Sequence, residues 1–209
     1  MSWYHYFFPR KVRFPDSKFN KDILVLDYGN SATLFSENLI ESGPIMTQIW
    51  TRALRQLLPP TFTPHSILLL GLGGGSNAAL VARKFPDAKI TGVDIDPVMV
   101  EIGRKYFGLS QIKNLEIVVA DALKYVDRLG ADSQFDLILL DCFVGQNFPA
   151  KFEDPDFLQK LKNHGRFVLI NHLWWHDYRL KTLAFMRSLS TRFFFVKTHT
   201  WTNTIISLV

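Results

Sequence analysis

The stretch from Ser66 to Pro97, SILLLGLGGGSNAALVARKFPDAKITGVDIDP, decides the fold. Ile67 to Leu70 form an apolar run with no polar interruption, the mark of a strand buried on both faces. Gly71, Gly73, Gly74 and Gly75 follow at once and let the backbone approach a ligand closely. Ser76 to Phe85 reads as a helix closed by Pro86-Asp87. Lys89 to Val93 make a second strand that delivers Asp94 to its carboxyl end. This is a βαβ nucleotide-binding unit, with Asp94 placed to accept hydrogen bonds from ribose hydroxyls.

Glycine loops serve many phosphate and nucleoside folds, so the rest of the chain must choose among them. No Lys-Ser/Thr pair follows the loop, which excludes a P-loop. A dinucleotide fingerprint begun at Gly71 meets Ser76 at its third glycine. Begun at Gly73 it fits only in the variant ending in Ala78, two residues too late for a strand-to-helix turn. Further on, the strand Leu115 to Ala120 is followed by Asp121-Ala122, and the strand Phe135 to Leu140 ends in Asp141. Acids at the ends of consecutive strands suit a ligand with a ribose, an adenine amine and a cationic sulfonium. They would repel a pyrophosphate. The predicted ligand is a sulfonium nucleoside.

Outside this unit, alternation continues. Asp96-Pro97 caps and opens a helix to about Phe107, Asp121 starts one to about Leu129, and Asp154-Pro155 another that Asn163-His164-Gly165 closes with a turn. Phe167 to Ile170 is a strand, Asp177 to Leu189 a helix, and Phe193 to Thr198 and Thr204 to Val209 a terminal pair of strands. The prediction is a doubly wound, mostly parallel α/β sheet. Before it, Asp22–Asp27 and Ala32–Phe35 form a β hairpin about Tyr28-Gly29-Asn30-Ser31. Residues 1–20 are an aromatic, basic arm or part of a strand. Gly43-Pro44 opens a helix to about Leu58 with Ile45, Ile49, Ala53 and Leu57 on one face. The expected division is an N-terminal arm and small β unit over 1–42 and the α/β domain over 43–209.

With 209 residues, 47% of them hydrophobic, the chain can bury one sizeable core. No stretch reaches the ~18 apolar residues of a membrane span, and the apolar Trp3–Phe8 is too short for a secretory signal. Cys142 is the sole cysteine, which excludes an internal disulfide and a cysteine-built zinc site. A cytoplasmic protein is expected. The net charge of +5 is spread over basic pairs that read as solvated helix faces. Arg10-Lys11 with Arg13 is the best candidate patch for a nucleic-acid or other anionic partner, but no nucleic-acid module appears and no nucleic-acid partner is expected.

The ordered set LGLGGGS, VDIDP, VVADALKYV and LLDCF, with the hairpin and the helix at Trp50-Thr51-Arg52-Ala53, resembles the spermidine synthase family over about residues 22–209. That family is built on the class I S-adenosylmethionine (SAM) methyltransferase fold, and the resemblance implies a seven-stranded sheet and a homodimer. By this likeness, Gly71, Gly73 and Gly75 with Ala122 border the donor, SAM or its decarboxylated form. Asp94 would hold the ribose, Asp121 would approach the adenine amine, and Asp141 would be the base near the attacking nitrogen of a small-molecule acceptor. Three amine-handling positions depart from the family. Val144 stands where a second acid is usual after Asp141, Gly75 where the loop carries an aspartate, and Trp50-Thr51 where Tyr-Gln is usual. Putrescine is therefore not expected as a good acceptor. A base is needed because an aliphatic ammonium is free amine in only roughly one molecule in 2,500 at pH 7. The expected function is a spermidine synthase-like transferase, with a small-molecule SAM-dependent methyltransferase and a non-catalytic nucleoside-binding relative as alternatives. His172 and His176, four apart, lack a third ligand at useful spacing, so no metal site is expected. They and Trp174-Trp175 read as core aromatics, or as an aromatic wall over the acceptor.

Overall fold

A computed structural model describes residues 8–209; the start of the aromatic arm, residues 1–7, lies outside the described residues. Four short strands open the chain: β1 (Arg10–Arg13), β2 (Leu24–Asp27), β3 (Ala32–Ser36) and β4 (Leu39–Ser42). They pair in that order, each antiparallel to the next. The predicted hairpin is β2–β3, closed by the Tyr28 amide donating to the Ser31 carbonyl at 2.9 Å. The sheet is larger than the hairpin, and physical reasons hid its outer strands. Arg10–Arg13 is an exposed charged edge without alternation, the composition that protects edges from pairing with other chains. β4 follows a two-residue turn, Glu37-Asn38, held at positive φ without a glycine to signal it. The buried face, Ile23, Val25, Ala32 and Leu34, packs on Met99 and Ile102.

β4 passes through Gly43 into α1 (Pro44–Leu57), and the α/β sheet follows. Its elements are β5 (Ser66–Leu70), α2 (Ser76–Lys84), β6 (Lys89–Asp94), α3 (Pro97–Tyr106), β7 (Leu115–Val119), α4 (Ala122–Asp127), β8 (Phe135–Leu140), α5 (Pro155–His164), β9 (Gly165–Leu173), α6 (Tyr178–Leu189), β10 (Phe195–His199) and β11 (Asn203–Leu208). The strand order is β10-β11-β9-β8-β5-β6-β7. β5 to β9 are parallel, β11 is antiparallel to β9, and β10 antiparallel to β11. This is the predicted doubly wound, mostly parallel seven-stranded sheet.

β5 shows why its sequence is uninterrupted. Ile67 and Leu69 face Trp50, Leu54 and Val81 of one helical layer, while Leu68 and Leu70 face Leu158, Leu161 and Phe185 of the other. Burying each such side chain contributes about 1.5–3 kcal/mol. Along α1 the buried stripe is Met46, Ile49, Trp50, Ala53 and Leu54, and Ile45 is exposed. The stripe is turned from the predicted one because Trp50 fills the core beneath β5. The turn expected at Asn163–Gly165 is absent: Gly165 has extended backbone, φ −123°, and begins β9 directly. Among the described residues no helix is long and apolar enough to cross a membrane.

Strand order reverses between β5 and its neighbours β6 and β8. Ligands of open α/β sheets bind in the crevice beyond the strand ends at such a point. Here it brings Gly71, Asp94 and Asp141 together.

Candidate functional site

Gly71 leaves β5 at φ +89°, and a Cβ there would lie 2.2 Å from the Asp141 carbonyl oxygen. Only glycine lets β5 and β8 approach this closely at their carboxyl ends. The loop that follows is tied to the end of β6. Asp94 Oδ2 accepts from the Leu72 and Gly73 amides at 2.8 and 2.9 Å, and its Oδ1 from the Asp96 amide at 2.8 Å. Burial raises the Asp94 carboxyl above its ordinary value, and those three amides partly offset the rise. Asp96 caps α3 through the Val98 amide at 2.9 Å, as expected, and is fully buried. It also receives the Ser17 hydroxyl and, at 2.7 Å, the Asn20 amide, so it anchors the arm beside the crevice. Two serines stitch β4 to the same loop: Ser42 Oγ accepts from the Gly74 amide at 2.9 Å, and Ser76 Oγ from the Gly43 amide at 2.7 Å.

Asp121 caps α4 through the Leu123 amide at 2.9 Å and meets Lys151 Nζ at 3.3 Å. Partial burial pushes its carboxyl up, but the amide and the lysine outweigh that and the net shift is downward. Asp141 is held differently. Trp50 Nε1 (3.0 Å) and Asn77 Nδ2 (2.7 Å) donate to its Oδ2, and Asn171 Nδ2 (2.7 Å) donates to its Oδ1. Asn171 in turn accepts from Asn203 Nδ2 at 2.9 Å. Burial raises the Asp141 carboxyl, and the three side-chain donors pull it back only in part.

Two chambers meet over these residues. The larger, about 270 Å³, is lined by Asp94, Asp121, Ala122, Val144 and Phe19 of the arm. The smaller, about 200 Å³, is lined by Ile45, Met46, Asn171, Trp175 and Asn203. Glu41, Gly71, Gly73, Asp141 and Phe143 border both. Sequence reasoning did not single out Glu41, whose Oε1 is buried without a hydrogen-bond partner. It also missed the three donors to Asp141. Trp50 was noted only as a departure, and single residues on α1, α2 and β9 carry no local signal of a shared partner.

Of the residues read from sequence, Gly71, Gly73, Asp94, Asp121, Ala122 and Asp141 are brought together. Gly75 stands apart. Its φ is +92°, and a Cβ there would sit 2.2 Å from Leu109 Cδ2, so Leu109 fills the space an acid would need. Val144 lines the larger chamber and is 46% exposed. Of the predicted aromatic wall Trp175 lines the smaller chamber, beside Phe143; Trp174 lies on His199, ring centroids 4.3 Å apart. His172 is buried between Phe148 and Phe185, at 4.3 and 4.4 Å, and burial lowers its pKa to about 3. Its Nε2 has no hydrogen-bond partner and lies 3.8 Å from Glu153.

The sheet order, the glycine loop and the acids at three strand ends are those of the class I SAM-dependent methyltransferase fold, and the chain has spermidine synthase-like relatives on that fold. Known proteins agree. A methyltransferase-domain family matches residues 67–166. The chain is 30% identical over 174 residues to a polyamine aminopropyltransferase of Neisseria meningitidis, covering 80% of this chain and 64% of that one. It is 37% identical over 131 residues to the mouse eEF1A lysine and N-terminal methyltransferase, covering 57% of this chain and 18% of that one. The chain thus spans less than two thirds of either relative. Among solved structures, human methyltransferase-like protein 13 in complex with SAH superposes with a TM-score of 0.64 at 26% identity, covering 78% of this chain and 81% of that one.

Proposed function

We propose that this chain transfers an alkyl group from a sulfonium nucleoside, SAM or its decarboxylated form, to the nitrogen of an amine. The observation that carries the reading is the pair of joined chambers with a fixed carboxylate between them. Asp94, Asp121 and Ala122 line the chamber suited to the nucleoside, with Asp94 Oδ1 keeping acceptor capacity toward ribose hydroxyls. Asp121 would meet the adenine amine while still capping α4. The donor supplies an activated carbon: a C–N bond forms as C–S breaks, the electron pair stays on sulfur, and a neutral thioether leaves. Asp141 faces the other chamber as an oriented negative charge. Three N–H donors fix its position, leaving it to draw an ammonium in and to accept or relay its proton.

Polyamine specificity is not part of this reading. Val144 removes an acid that would help seat a diamine and Gly75 one that would grip the donor's amine, so acceptors with a single amine are favoured. A methyltransferase acting on an amine is the second reading, favoured by the likeness to the mouse lysine methyltransferase.

Calorimetry with methylthioadenosine tests the nucleoside site. Binding is expected, and Asp94→Ala should weaken it about 10- to 150-fold, the loss of a charged acceptor. Equal binding by a folded Asp94→Ala protein would overturn the placement. A spermidine-formation assay with putrescine tests the acceptor. Turnover in the ordinary range of about 1–10³ per second would restore the usual polyamine activity.

A further inference from the structure

Glu41 and Asp141 border both chambers and Asp94 lines the larger, and of these three acids only Glu41 lacks compensation. Asp94 and Asp141 each receive three N–H donors. Glu41 Oε1 is buried and receives none. Among the described residues no lysine or arginine lines the smaller chamber. The larger has Lys151, already paired with Asp121. Burial first, then the charges of Asp141, Asp94 and Glu37, push the Glu41 carboxyl well above the usual carboxylate range. A cation brought by the ligand would relieve all of these at once.

The kind of cation follows from the oxygens on offer. Magnesium or calcium needs six or more oxygen ligands, while the oxygens of Asp94 and Asp141 are aimed at N–H groups. A guanidinium fork wants two parallel acceptors, and because Oε1 is buried Glu41 presents only its other oxygen to the chambers. A primary ammonium, compact and with three donors, can use one carboxylate oxygen and chamber carbonyls. The glycine loop offers no rival acid, since Leu109 occupies the space beside Gly75.

We propose that Glu41 is the ammonium-binding residue of this site, its donor-free carboxylate receiving a primary alkylammonium where the two chambers join. The location rests on the transferase reading above. Two sources carry that chemistry: the side-chain amine of the donor and the amine of the acceptor.

Calorimetry on the full chain separates them. S-adenosyl-3-thiopropylamine differs from methylthioadenosine by an added aminoethyl group and carries no sulfonium. If the donor's amine is bound, the parent prefers it, and Glu41→Gln loses that preference by about 10- to 150-fold while methylthioadenosine binding changes less than about twofold. If the acceptor's amine is bound, the two nucleosides bind alike. Butylamine then binds the parent saturated with methylthioadenosine, and Glu41→Gln abolishes that binding. The isosteric glutamine removes a buried charge and should melt no lower than the parent; Glu41→Ala serves as a second variant. A preference retained by both variants, or the absence of both amine effects in the parent, overturns the proposal while leaving the nucleoside site intact. If methylthioadenosine does not bind at all, the transferase reading fails. Butylamine titrated into the protein alone then decides Glu41, and binding that is absent or insensitive to Glu41→Gln counts against it.

Discussion

Replacing Asp141 with asparagine keeps the shape of the side chain and changes which atoms can accept. One asparagine oxygen at the Oδ2 position would still take the Trp50 and Asn77 donors. The new amide nitrogen then faces Asn171 Nδ2, donor against donor, across a contact now 2.7 Å long. Asn171 cannot simply turn over, because its oxygen accepts from Asn203 at 2.9 Å. At least one buried donor is left unsatisfied, at about 1–3 kcal/mol. Removing a charge that burial already disfavours returns part of this, so a net loss of about 1–2 kcal/mol is expected. For a chain of this size that lowers the melting temperature by about 2–8 °C. Asp141→Ala strands all three donors and should lose considerably more. The double variant Asp141→Asn/Asn171→Asp is the sharper test. It lets the asparagine amide donate to position 171, whose carboxylate also accepts from Asn203, so every donor is matched again and stability should return. Thermal melts and urea titrations of the three proteins decide it. If Asp141→Asn melts with the parent, or the double variant melts below the single one, the hydrogen-bond account of Asp141 is wrong. Activity is read separately: with an acceptor in hand, Asp141→Asn should bind methylthioadenosine normally and lose about 10²- to 10⁴-fold in turnover, the usual worth of a general base.

Gly71→Ala should be among the most damaging single substitutions. It combines φ +89° with a Cβ 2.2 Å from backbone, and a folded protein with unchanged melting would refute the claimed approach of β5 and β8. His172 gives the fold an acid-sensitive component. Its folded pKa of about 3 lies below the ordinary 6.5, so this contribution is complete above pH 6.5 and is lost as pH falls toward 3. Between pH 7 and pH 5 the loss is about 2 kcal/mol. The raised carboxylates Glu41, Asp94 and Asp141 act in the opposite sense, so the test is the difference between the parent and His172→Phe. That difference should shrink by about this amount over the interval, and parallel pH curves would show that His172 is not buried neutral.

The architecture was legible because its signals are local. The apolar run before Gly71, the cap residues Asp96, Asp121 and Asp154, and the acids after three strands each announce an element end within a few residues. Sheet order at the switch point then gathers those ends without further information. What escaped was either charged or non-local. Arg10–Arg13, read only as an arm or part of a strand, pairs along one edge and shows its three basic side chains to water with only Val12 half-buried, so its bounds carried no signal. Glu41 sits on a four-residue strand, and nothing around it marks an acid whose partner is missing. Trp50, Asn77 and Asn171 converge on Asp141 from 91, 64 and 30 residues away. A hydrogen bond of that kind is a property of the folded chain. Asp94 was legible as an acid at a strand end but not as the support of the glycine loop, because that role depends on where the Leu72 and Gly73 amides point.

The two serine stitches bear on mechanical tolerance. Two bonds of 2.9 and 2.7 Å join the end of β4 to the glycine loop and the start of α2, one made by Ser42 and the other by the Gly43 amide to Ser76. Glu41 is the residue just before Ser42, and α1 carries Trp50 to Asp141 just after. A displacement of the glycine loop is therefore passed directly to the acids facing the second chamber. Chemistry that requires attacking and leaving atoms in line is sensitive to misplacements of an ångström. In the proposed transfer, the parts that would set that alignment are tied to one another through these two bonds.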